Sequence, residues 1–286
     1  MADHLTLQNG KAVLTTEEGA SIERPESDFM SMMQGEFLPP LQGMAMPDGL
    51  KFMEWRAPFL IVVHQIPPHR RLLRWIAPDS PAEYGPGTVY RPVRLSVPYS
   101  ITFATYFQRG DALCLGNYNE LYFRNQPLRS MNDKLCYPAL LNISRIKTPT
   151  RERSWICTQH LKRSPKMDWT EQLESLLDHT WNGGFNLSSE NHEGASYYGL
   201  SKGIHPDIHP VEKWGKASEK DEAFALSVPW KPAKHTVGEL IECLFAEQAR
   251  EAPAFRRVSK AAKPSNLVAR FMNYAKKNSP PAAKKK

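Results

Sequence analysis

Side chains alternate strictly from Tyr99 to Phe107. Tyr99, Ile101, Phe103, Thr105 and Phe107 share one face of an extended chain, and Ser100, Thr102, Ala104 and Tyr106 share the other. That period of two belongs to a β-strand. Three short apolar or β-branched runs precede it, at residues 51–56, 58–65 and 71–76, with Pro67-Pro68 breaking the second from the third. Tyr84-Gly85-Pro86-Gly87 marks a further turn. Arg109-Gly110-Asp111 closes the long strand, and residues 112–115 and 120–123 make the return. No helical pattern of adequate length separates these runs, so they describe an antiparallel meander rather than a βαβ array.

Two helices are well signalled. Asp168-Trp169-Thr170-Glu171 has the form of a capping box. Trp169, Leu173, Leu176, Leu177 and Trp181 then fall on one face, and Asn182-Gly183-Gly184 is the stop. Thr236-Val237-Gly238-Glu239 repeats the box, and Val237, Leu240, Ile241, Leu244 and Phe245 form an amphipathic stripe. The expected class is α+β: an antiparallel β-meander with packed helices, an extended C-terminal helix and a basic tail.

Four segments follow from this pattern. Residues 1–49 are an N-terminal extension, with a small hairpin at 5–14 around Asn9-Gly10, a helical turn or two at 27–33, and loop from 38 to 49. Residues 50–182 are the α+β core. Residues 183–255 hold an insertion and the C-terminal helix, the part at 185–234 being rich in His, Gly, Ser and Pro and reading as a long ordered insertion. Residues 256–286 are a basic flexible tail, with one turn of helix at 267–276. The tail holds ten Lys or Arg and no acid, so the net charge of +7 comes from it and the preceding residues carry −3. Such a tail is expected to be solvated, with nucleic acid or another acidic partner as the sharper reading.

Hydrophobic content of 41% and charged content of 23% exclude wholesale disorder. The four cysteines show no C-x-x-C spacing, and no secretory leader is visible, which together point to a reduced, cytoplasmic setting. No apolar run approaches the ~18 residues of a membrane span.

Cys157 is the strongest candidate for chemistry. Arg151, Arg153, Lys162 and Arg163 surround it in sequence, His160 lies three residues on, and a helix begins about a dozen residues later. Nearby positive charge or a helix N-terminus favours the nucleophilic thiolate. The alternative is a structural thiol packed among Trp155, Ile156 and Leu161. Cys114, on a strand, and Cys243, on the amphipathic helix, read as packing residues. Cys136, beside Tyr137, is the fallback nucleophile. His192, His205 and His209, with Glu193 and Asp207, form a second cluster. Pro206 and Pro210 forbid the regular helix that would align His205 with His209, so hydrogen-bonded histidines in a turn-rich loop are expected rather than a metal site. No Gly-x-Ser-x-Gly elbow and no glycine-rich phosphate loop is present.

The order of elements around the thiol resembles that of ubiquitin-conjugating (E2) enzymes. Tyr137-Pro138 and Asn142 stand where that family has its His-Pro-Asn segment, Ile156-Cys157-Thr158 where it has the thioester cysteine, and Pro165 to Trp169 with the helix to Trp181 where it has a loop and a core helix. More particularly, the chain looks like the divergent bacterial E2-like proteins encoded beside E1-like and JAB-type partners on mobile elements. Asn125-Gln126-Pro127-Leu128 and Leu140-Leu141-Asn142 add to that impression. The resemblance covers roughly residues 50–182. It departs from the family at Tyr137, which replaces the His, and at Asn142, four residues after Pro138. The family's N-terminal helix is also not evident.

The resemblance implies a UBC-like core that carries a ubiquitin-like protein as a thioester on Cys157. Asn142 would support the oxyanion or the nearby loop, and His160 would be an acid–base group. The implied partners are an E1-like activating enzyme, the ubiquitin-like protein and an acceptor protein, with no cofactor or metal needed and no membrane. The rival expectation is a non-catalytic adaptor of E2-like fold. It would bind protein through its sheet or C-terminal helix and nucleic acid through residues 256–286. A third is a basic accessory factor of a plasmid or phage.

Overall fold

A computed structural model describes residues 4–8, 11–15, 21–25, 46–56, 58–109, 112–158, 161, 167–192, 194 and 196–251. The Asn9-Gly10 turn, the helical turn expected at 27–33, most of the loop expected from 38, His160 and the tail with its helix at 267–276 lie outside the described residues.

The chain runs through β1 (His4–Gln8), β2 (Lys11–Thr15), β3 (Ser21–Pro25), β4 (Leu50–Arg56), β5 (Phe59–Ile66), β6 (His69–Ile76), β7 (Tyr90–Val97), β8 (Tyr99–Arg109), β9 (Ala112–Leu115), β10 (Glu120–Arg124), β11 (Lys134–Cys136), β12 (Ile143–Lys147) and β13 (Glu152–Ile156). Then come α1 (Trp169–Asn182), β14 (Gly184–Phe185), α2 (Ser188–His192), α3 (Ser196–Ile204), α4 (Val211–Lys220), α5 (Phe224–Ser227), β15 (Pro232–Thr236) and α6 (Val237–Glu251). The protein is mixed α+β, as the strand and cap signals predict. Among the described residues, no helix is long and apolar enough to cross a membrane.

The larger sheet has the order β12-β13-β10-β8-β5-β4-β1-β2-β3 and is antiparallel throughout. The meander is therefore real: β4, β5, β8 and β10 are neighbours in that sequence, with β6 and β7 leaving as a separate hairpin. The N-terminal hairpin forms with Leu5 opposite Leu14, and β1 then pairs with β4 through Thr6–Glu54 and Leu7–Met53.

β8 is long enough to serve two partners on one side. β10 takes its first part and β9 its end, while β5 runs along the other side. Asn119 fills the gap where β9 stops and β10 begins. Its Oδ1 accepts from the Thr105 amide at 3.0 Å, and its Nδ2 donates to the Gly116 carbonyl at 2.8 Å. A buried break in the ladder thus keeps its backbone groups paired.

Both faces of β8 are buried from Ser100 to Tyr106. The reason is a helix on each side. On one face the Tyr106 hydroxyl donates to the Trp169 carbonyl of α1 at 3.1 Å. On the other, Glu120, opposite Phe103, meets an ion cluster that includes Glu247 of α6. Leu173, Leu176 and Trp181 of α1, and Val237, Leu240, Ile241 and Leu244 of α6, are buried in these contacts. The stripes read from helical spacing are the ones that face the sheet.

A smaller sheet, β14-β6-β7, packs alongside. Its inner face brings Leu73 and Trp75 into the core, with Trp75 stacked on Phe185 at 5.6 Å between ring centroids. α4 covers the outer edge of β7. Ser218 Oγ accepts from the Ser96 amide at 2.8 Å, and Trp214 Nε1 donates to the Ser96 carbonyl at 3.1 Å, so the exposed ladder groups of an edge strand are satisfied by side chains. The segment 185–234, read from composition as an ordered insertion, is built of the short helices α2 to α5 with β14 and the start of β15.

Candidate functional site

β12 and β13 form a tight antiparallel hairpin whose innermost pair is Ile143–Ile156. Both isoleucines are buried and anchor it in the core. The outer end is held by an Arg145–Glu152 ion pair. Asn142 and Cys157 each lie one residue beyond the Ile143–Ile156 pair. Two residues fifteen positions apart in sequence therefore leave the sheet side by side. The Ile156 amide also donates to the Asn119 carbonyl at 2.9 Å, and Trp155 Nε1 donates to the Asn117 carbonyl at 2.8 Å. The backbone leading to the thiol is fixed from two directions.

Helix α1 closes this end. It begins as the sequence predicts: Asp168 Oδ1 accepts from the Thr170 and Glu171 amides, each at 2.8 Å, while Glu171 Oε2 accepts from the Asp168 amide at 2.8 Å. Its last turn contributes two consecutive contacts. His179 Nε2 lies 2.8 Å from the Cys157 carbonyl, which requires that nitrogen to carry the proton and donate it. Asn142 Nδ2 donates to the Thr180 carbonyl at 2.6 Å. That carbonyl is one of those a helix C-terminus leaves without an intrahelical partner, so Asn142 caps the helix from across the hairpin. The acceptor fixes the amide orientation, and Asn142 Oδ1 is left buried without a hydrogen-bond partner among the described residues. Cys157 is a free, partly exposed thiol.

The structure thus brings together Cys157 and Asn142, two of the three residues singled out from the sequence. The third, His160, lies outside the described residues. His179 is the residue that sequence reading missed. It stands off the apolar stripe of α1, and nothing in its local pattern marks it as a neighbour of the thiol.

The cationic neighbours expected from sequence are committed elsewhere. Arg151 is buried between Glu120 and Glu247, and Arg153 pairs with Glu247 at 3.3 Å while lying over the Tyr118 ring at 4.6 Å. Strand alternation turns both toward α6, where their charge is neutralised. Tyr137 is buried, with its hydroxyl donating to the Glu152 carbonyl at 3.2 Å.

Cys114, Cys136 and Cys243 are free and partly buried. Burial pushes the Cys136 and Cys243 thiols above their ordinary range, which disfavours the thiolate in both. The histidines of the second cluster go to three places. His192 packs on Tyr84, His205 on Phe224, and His209 on Tyr197, with its Nδ1 at 3.1 Å from Ser201 Oγ. Compared with protein-family models, with curated proteins and with solved structures, the chain matches none.

Proposed function

We propose that the protein carries a ubiquitin-like protein as a thioester on Cys157, in the manner of the ubiquitin-conjugating enzymes its sequence resembles. The observation that carries this reading is the placement of Cys157 beside Asn142 at the inner end of the β12–β13 hairpin. That hairpin follows the four-strand meander and precedes a capped helix, the order the resemblance implies.

In the first step the Cys157 thiolate attacks the thioester carbonyl on an E1-like partner. A new carbon–sulfur bond forms, and the partner's sulfur leaves as thiolate. In the second step an acceptor amine attacks the same carbonyl, Cys157 leaves as thiolate, and the amine's extra proton passes to solvent. The exchange of one thioester for another is nearly balanced, so the fold's contribution is orientation. Asn142 and His179 serve here as positioning residues. One holds the end of α1, and the other holds the peptide carbonyl of the nucleophile.

Thiol profiling of the native chain tests this, with Cys157→Ala as control. Cys157 is expected to alkylate faster than Cys114, Cys136 and Cys243. A Cys157 that stays silent until the protein unfolds would end the thioester reading.

One observation favours a second reading, a non-catalytic adaptor of the same fold. Tyr137, standing where the family has its His, is buried on the Glu152 carbonyl, and the Asn142 amide is bound to Thr180. Both family positions do structural service. In either reading residues 256–286 are a candidate contact for nucleic acid. Their removal should abolish binding and its salt dependence, and unchanged affinity would dismiss the idea.

A further inference from the structure

Away from Cys157, a cleft of about 310 Å³ opens between the turn after β6 and the helices α3 and α4. Its size falls in the range of small-molecule sites. Trp75 and Tyr197 are packed edge to face at 4.9 Å between centroids and are nearly inaccessible, at 4% and 2% exposure. They make the rigid back of the cleft. Tyr198, 40% exposed, and His209 flank the mouth, with their rings 6.3 Å apart.

The polar lining is of both signs. Arg91 is ion-paired with Glu212, and Glu83 accepts from Asn191 Nδ2 at 2.7 Å. Arg91 has a second, unused donor. Its Nε–H is buried and finds no acceptor among the described residues. A buried donor in a cleft wall calls for an oxygen from outside the protein fold.

We infer that this cleft binds a neutral polyhydroxylated ring, a pyranose unit. The sign of the charges decides against the alternatives. A carboxylate would have to displace Glu212 from Arg91, and an organic cation would have to displace Arg91 from Glu212. A hydroxyl group both accepts and donates. It satisfies Arg91 Nε and offers its proton to Glu83 or Glu212 while the ion pair stays intact. The aliphatic C–H face of a pyranose ring packs against the exposed ring of Tyr198. Burial, with Lys202 and Lys213 nearby, holds His209 toward its uncharged form, so this wall adds no net charge. No residue of the β12–β13 hairpin lines the cleft, and the site does not depend on the thioester reading.

The test uses the full chain with methyl glucoside, methyl galactoside and N-acetylglucosamine as probes, in saturation-transfer NMR and tryptophan fluorescence. At least one pyranoside should bind, and Tyr198→Ala and Glu83→Gln should each weaken it by about tenfold or more, the equivalent of ~1.4 kcal/mol. Cys157→Ala should bind the sugar as the parent does. The proposal falls if no pyranoside binds, or if both cleft variants bind it unchanged. It also falls if Cys157→Ala abolishes binding, or if choline or benzoate binds in preference to the sugars.

Discussion

Arg151 and Glu247, ninety-six residues apart, meet through two hydrogen bonds, Nε to Oε1 at 3.0 Å and Nη2 to Oε2 at 2.8 Å, with neither side chain more than 3% exposed. The same guanidinium donates to Glu120, which is fully buried and also accepts from the Tyr122 hydroxyl at 2.6 Å and the Ser154 amide at 3.2 Å. One arginine therefore joins the C-terminal helix to the middle of the sheet. Its two carboxylate partners hold its pKa above the ordinary arginine value despite burial, which works the other way.

Removing that charge leaves two buried carboxylates without their counter-ion. Arg151→Met should destabilise the protein by roughly 3–5 kcal/mol, the cost of breaking a buried pair from one side. Urea unfolding of parent and variant measures it. A loss under ~1 kcal/mol would mean that α6 is not fastened to the sheet through this contact.

Gly49 has φ at +85°, and a Cβ there would meet the Gln65 carbonyl oxygen and come within 2.8 Å of His64 Nε2. The turn that starts β4 lies directly on β5, with the Gln65 amide donating to the Gly49 carbonyl at 2.8 Å. Gly49→Ala combines a left-handed backbone with a clash against main chain, so a loss of at least ~1–3 kcal/mol is expected. Thermal unfolding would show it as a lower midpoint. Gly203→Ala, in α3 with nothing within 4 Å of its Cβ position, is the matched control that should not fall.

Burial lowers the pKa of His64 below its ordinary 6.5, with Lys51 acting in the same direction and outweighing the hydrogen bond to the Asp48 carbonyl. The unfolded chain then binds a proton more readily than the folded one. Stability is full above about pH 6.5 and declines as pH falls through that value toward the folded pKa. His69, also lowered mainly by burial, adds the same sign. His64→Gln removes the titrating ring, so its stability should drop less between about pH 7.5 and about pH 5.5 than the parent's. Equal drops would remove His64 from the account.

Asn142 tests the joint between the hairpin and α1. Asn142→Ala removes one hydrogen bond to the Thr180 carbonyl and should cost about 1 kcal/mol. Asn142→Asp replaces the donor with acceptors facing a carbonyl, and should cost more than the alanine variant. If the aspartate variant is the more stable of the two, the amide is not the cap assigned to it.

Much of this architecture was legible along the chain. The period of two at Tyr99–Phe107 and the proline breaks describe β4, β5, β8 and β10. Asp168 and Thr236 mark helix starts that form with the hydrogen bonds their spacing implies. The insertion at 185–234 was harder to read, because α2 to α5 are only four to ten residues long. Helices of fewer than three turns show too little periodicity to stand out from a His-, Gly- and Pro-rich composition. At the candidate site, Cys157 and Asn142 could be named from their order, whereas His179 could not.

The sequence by itself determined the strands, their antiparallel order through the meander and the two capped helices. Those features depend on side-chain periodicity and on groups three or four residues apart. Only the tertiary structure decided that α1 and α6 cover opposite faces of β8, that Arg151 and Arg153 turn away from the thiol toward α6, and that His179 reaches the Cys157 carbonyl. It likewise decided that Arg91, Glu83 and Tyr198 share one cleft. Each of these joins residues from separate elements, and such contacts are set by how amphipathic faces pack against one another, about which a local pattern carries no information.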